Sequence, residues 1–141
     1  MSRYGRADSE WEELVHAGHG FLIERAKLGK LTSYTELNVI LARRAGCRPF
    51  DFERADERAA MGYLLGLIVE RDQEIAPSDP AVMLSALVNY LGANDAGSGF
   101  YQLAKKLELL PMSASADEKF SFWVKQVKQL YERHGASPAV G

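Results

Sequence analysis

The sequence predicts a mainly α-helical domain of the α+β kind, with five helices packed around one buried strand or small hairpin. Three observations carry that expectation. Five stretches place apolar residues three and four apart, most of them bounded by a capping residue, Gly or Pro. One short run, residues 82–91, is apolar on both alternating faces and lies between Pro80 and Gly92. The length of 141 residues suits one domain, and a chain of that size buries about 68–70% of its unfolded surface without a metal or disulfide.

Residues 1–7 are polar and expected as a flexible lead, with a single globular domain over 8–134 and a flexible tail over 135–141. Asp8 or Ser9 is expected to cap a first helix reaching Leu28, with Trp11, Leu14, Val15, Gly18, Leu22 and Ala26 on one face and Gly29 as its left-handed stop. The segment Ser33-Tyr-Thr-Glu36 has the form of a capping box. It opens a second helix that turns Tyr34, Leu37, Ile40 and Leu41 inward and ends before Gly46. Asp51 is expected to cap a third helix from Phe52 or Glu53 to Gln73. Its apolar circumference marks it as central, and Gly62 and Gly66 suggest that another backbone comes close.

The run 82–91 reads as a strand covered on two sides, although periodicity alone leaves a helix open. After the turn at residues 92–99, either Ser98 caps a fourth helix through Leu110, with Phe100, Leu103, Ala104 and Leu107 inward, or Phe100 and Tyr101 begin a short return strand; Pro111 ends the element. A second capping box, Ser115-Ala-Asp-Glu118, opens a fifth helix to His134. Its stripe is Phe120, Trp123, Val124, Val127, Leu130 and Tyr131.

Composition narrows the function classes. A single cysteine, Cys47, excludes an internal disulfide framework and fits a reducing compartment. No apolar run approaches a membrane span, so a cytoplasmic protein that does not enter the membrane is expected. The formal charge of −2 argues against a surface wholly given to nucleic acid, yet residues 51–100 are acidic while both ends are mildly basic. Glu12, His16 and His19 share one side of the first helix but lack the fourth ligand of a structural metal site. Cys47 follows a helix C-terminus, where the dipole disfavours a thiolate. Gly97-Ser-Gly99 lacks the lysine of a phosphate loop. No nucleophile or acid–base pair stands out, so the chain is expected to be non-enzymatic, with no cofactor and no metal.

The order Ser33-Tyr-Thr-Glu-Leu37, Arg58-Ala-Ala-Met-Gly62, Leu65-Gly66, a strand, then Gly97-Ser-Gly-Phe100 and a helix resembles the winged-helix DNA-binding half of alkylguanine alkyltransferases and alkyltransferase-like proteins. The likeness spans the middle of the chain. It implies a helix-turn-helix with the turn at 92–99 as a wing. The family's Pro-Cys-His-Arg motif is absent, and Met83-Leu-Ser-Ala-Leu87 stands in that strand, so alkyl transfer is not implied. The spacing from Arg58 to Gly62 is one residue longer than the family's. The wider pattern also resembles small uncharacterised proteins of bacteria and mobile elements.

Two functions follow as expectations. The first is a binding module that contacts DNA or RNA, with Arg43, Arg44 and Arg48 at phosphates, Arg58 at the start of the groove-facing helix, and Ser98 beside the wing. The alternative is a protein-interaction or homodimerisation module. It would use strand pairing at 83–91 or an aromatic face of Phe122, Trp123 and Tyr131.

Overall fold

The computed structural model describes residues 2–89 and 98–135. The chain is mainly helical, with five α-helices and two short two-stranded sheets among the described residues. Residues 2–7, expected as a flexible lead, form a small hairpin: β1 (Ser2–Arg3) pairs antiparallel with β2 (Arg6–Ala7) through a turn with positive φ at Tyr4 and Gly5. Strand β2 runs straight into α1 (Asp8–Leu28). Asp8 and Ser9 are therefore its first residues rather than its cap, and the flanking position falls to Ala7 with no side-chain bond. At the other end Gly29 is left-handed, with φ 66°, as expected.

β3 (Thr32–Ser33) leads into α2 (Tyr34–Ala45). The Ser33 hydroxyl accepts from the Glu36 amide at 3.1 Å. The reciprocal half of the box is replaced, because Glu36 instead accepts from the Thr32 hydroxyl and from Arg25. α3 (Ala55–Ile75) begins later than expected. Asp51 caps a turn, its carboxylate accepting from the Glu53 amide at 3.1 Å, and Arg54 is still extended.

Residues 82–89 lie at the centre of the molecule, but not as one strand. Leu84–Leu87 form a 3-10 turn, and only β4 (Val88–Asn89) is extended, pairing in parallel with β3. Met83, Leu84, Ala86, Leu87 and Val88 are all fully buried. A short run buried on every side has no periodicity that separates strand from turn. Residues 90–97, with most of the expected wing, lie outside the described residues. α4 (Ser98–Lys106) stops before Leu110, because Glu108 takes a left-handed φ of 62°. Leu107 is consequently 41% exposed instead of inward. α5 (Ala116–Arg133) opens with both bonds of its capping box in place. Phe120 and Val124, expected inward, stay outside the core, each 44% exposed.

α1 packs on α2 and α3, and the 3-10 turn sits among α1, α3 and α5. Against expectation, no other backbone comes close to Gly62 or Gly66 among the described residues; the tightly packed glycine is Gly18, against two side chains. A Cβ on Gly18 would lie 2.6 Å from Ile68 Cδ1 and 3.4 Å from Leu41 Cδ2, whereas one on Gly62 or Gly66 would meet nothing within 4 Å. Gly66→Ala is therefore expected to raise unfolding stability by about 1 kcal/mol through helix propensity. In Gly18→Ala the same gain is offset by overpacking of about 1–3 kcal/mol. Urea unfolding should therefore rank Gly18→Ala below Gly66→Ala in stability.

Candidate functional site

The arginines expected to meet phosphate divide by their partners. Arg44 makes a two-bond pair with Glu24 at 2.8 and 2.9 Å and lies over the Phe21 ring, 5.4 Å from its centroid. This bonding holds the Glu24 carboxyl below its usual pKa and raises that of Arg44. Arg25 covers the same ring at 5.1 Å and donates to Glu36 at 2.8 Å. The basic ends of α1 and α2 thus do converge, at Phe21, but each guanidinium brings its own carboxylate. Arg48 donates to Glu57 at 2.9 Å. Arg43 is exposed on the last turn of α2, without an ion pair among the described residues.

Arg58 differs from the paired arginines. Its bond, at 2.6 Å, goes to the backbone carbonyl of Phe52, so among the described residues no carboxylate neutralises it. The loop that positions Phe52 is clamped at two points. Asn38 donates to the Phe50 carbonyl at 2.9 Å and accepts from its amide at 2.8 Å, and Arg48 ties the loop to Glu57. Ser33 starts α2 so that Tyr34 stands on its first turn, where the ring meets Phe52 edge-on at 6.4 Å.

These residues form one wall of a groove of about 710 Å³ between the start of α2, the first half of α3 and α4. Ala59, Met61 and Gly62 line it from α3, and Gly99, Gln102, Leu103 and Lys106 from α4. Of the residues expected to bind, Arg58 lines this groove, while Arg43, Arg44 and Arg48 do not, and Ser98 opens α4 one position before the lining residue Gly99. Among the described residues no Asp or Glu lines this groove. Four other surface grooves each include at least one carboxylate. Tyr34 and Leu103 read from sequence as core residues, and Lys106 carries no local signal; only packing reveals them as lining.

The remaining candidates are explained locally. Among the described residues no group of three or more His, Cys, Asp or Glu is placed to hold a metal. Glu12 pairs with Arg71 at 3.1 Å, and His19 Nε2 lies 3.0 Å from the buried Asp72 carboxylate. Burial, with Glu10 next in effect, pushes the Cys47 thiol upward. His134 closes α5 beside Asp72, Arg133, Lys27 and His19, and burial lowers its pKa from 6.5 against the pull of Asp72. A lowered folded pKa means that the unfolded chain binds the proton more readily. The contribution of His134 is then complete above about pH 6.5 and is lost as pH falls through the lowered folded value. Thermal melts of wild type and His134→Asn should converge toward acid, the wild type losing more.

No family model matches the chain, and neither a curated protein nor a solved structure matches it.

Proposed function

We propose that the chain is a non-enzymatic binding module that contacts nucleic acid through the groove between α2, α3 and α4. The observation that carries this reading is charge. In a chain of net charge −2, the groove presents Arg58 and Lys106 with no carboxylate among its described lining residues. Tyr34 and Phe52 add aromatic surface beside those cations, a pairing of ring faces and positive charge that suits bases joined by phosphates. The first turns of α2 and α4 also open on the groove, and the positive ends of their dipoles favour an anion there. Arg44 and Arg48 contribute less than their position in sequence suggests, because a phosphate would have to displace Glu24 or Glu57.

The alternative, a protein-interaction or self-pairing module, has less support at two of the features expected to carry it. β4 is buried and already paired with β3. Trp123 is 6% exposed and belongs to the core, and Phe122 packs toward Phe100 at 5.8 Å.

Fluorescence anisotropy of labelled oligonucleotides, titrated at rising salt, tests the reading. Each phosphate contact contributes close to one unit of the salt slope. Arg58→Gln and Lys106→Gln are each expected to lower that slope by about one, while Arg43→Gln leaves it unchanged. Absence of salt-dependent affinity for DNA or RNA at low ionic strength would sink the proposal.

A further inference from the structure

We infer that the nucleic acid taken by this groove is single-stranded, one nucleotide inserting so that its base meets Phe52 and Tyr34 while its phosphate meets Arg58 and Lys106. The inference rests on the nucleic-acid reading and narrows it. The groove's volume of about 710 Å³ is that of a small-ligand pocket rather than of a face laid along a duplex. Its aromatic rings lie within the concavity, where the stacked, paired bases of a duplex do not reach them. An unstacked base can enter, and any base has a face to offer, so affinity of this kind tolerates sequence variation.

The floor fits the same occupant. Gly62 is exposed, and a Cβ there would meet nothing within 4 Å among the described residues, so space above α3 is open where a planar base would lie. Met61 and Leu103 supply apolar contact. Gln102, exposed on α4, offers an amide with both donor and acceptor to a base edge. Among the described residues the phosphate side has no competing carboxylate, because Arg58 bonds there only to the Phe52 carbonyl. Charge and stacking therefore make separable contributions, one dependent on salt and the other not.

The test compares labelled single-stranded DNA and RNA with a duplex of the same sequence by anisotropy, with unlabelled polyglutamate as a competitor. Single strands are expected to bind at least tenfold more tightly than the duplex. Phe52→Ala is expected to weaken single-strand binding by roughly tenfold without changing the salt slope. Lys106→Gln should lower the slope by about one. Lys106 is exposed, so that variant stays informative if Phe52→Ala unfolds, and Gly62→Leu, which fills the floor, is expected to abolish the single-strand preference. A duplex bound as tightly as the single strand overturns this inference but leaves the nucleic-acid reading standing. Polyglutamate displacing the strand as well as unlabelled oligonucleotide does overturns both, in favour of an acidic protein segment. No binding of any oligonucleotide overturns the underlying reading itself.

Discussion

Trp123→Ala is expected to lower unfolding stability by about 3–5 kcal/mol, the range for removing a large buried aromatic. Trp123 is 6% exposed, and its indole Nε1 donates to the Ala86 carbonyl at 2.7 Å. One turn later on α5, the buried Gln126 accepts from the Met83 amide at 2.6 Å. These two side chains hold both ends of the 83–86 segment, whose 3-10 turn leaves backbone groups that a helix or sheet would have paired. Trp123→Phe keeps a ring and removes the donor. It should cost about 1–3 kcal/mol, because the Ala86 carbonyl is left buried without its partner. Urea unfolding of both variants checks the argument. A Trp123→Phe protein as stable as wild type would show that the hydrogen bond does not hold the turn.

The second large effect is expected at Glu57, which is 3% exposed on the first turn of α3. Its carboxylate accepts from Arg48 at 2.9 Å and from the Asp51 amide at 3.3 Å, and lies 3.7 Å from Arg6. Arg6 is 1% exposed, stacks over Phe50 with its guanidinium 4.1 Å from the ring centroid, and donates to Glu10 at 2.6 Å and to the Arg48 carbonyl at 3.0 Å. Glu57→Leu should cost about 3–5 kcal/mol, because removing one partner leaves a buried charge poorly matched. The exposed part of the network matters less. Arg48 is half-exposed and its pair is screened. A double variant, Arg6→Met with Glu57→Leu, is expected to recover much of the loss, since replacing a buried pair with apolar groups is often close to neutral. Additive losses in the two single variants would mean that the residues act independently. The loop 46–54, which places Phe52 in the groove, is tied down by this same network. Oligonucleotide binding should therefore fall in Glu57→Leu even at temperatures where the protein remains folded.

Much of the helical framework was legible from residues acting within a turn of themselves. Ser33, Ser115 and Gly29 behave as their types and spacings require, because a cap satisfies amides or carbonyls only three or four positions away. The misreadings share one cause. Asp51, expected as a helix cap, closes a turn because Asn38 of α2 and Glu57 of α3 hold the loop from outside. The expected strand is mostly a 3-10 turn because Gln126 and Trp123, far along the chain, take up its backbone groups. Gly18 rather than Gly62 is the close contact because α1, packed between α2 and α3, presents that position to Ile68 and Leu41.

By itself the sequence determined that this protein is mainly helical, where three of its helices begin or end, and that residues 82–89 lie in the core. Those outcomes depend on apolar spacing and local capping. Only the tertiary structure decided which cations are available to a ligand. Arg44 finds Glu24 twenty residues away and Arg25 finds Glu36 eleven away, whereas among the described residues Arg58 finds only a backbone carbonyl. A charge is neutralised by whatever packing brings within a few ångströms of it. The groove lined by Arg58 and Lys106 therefore became visible only once α2, α3 and α4 were placed together.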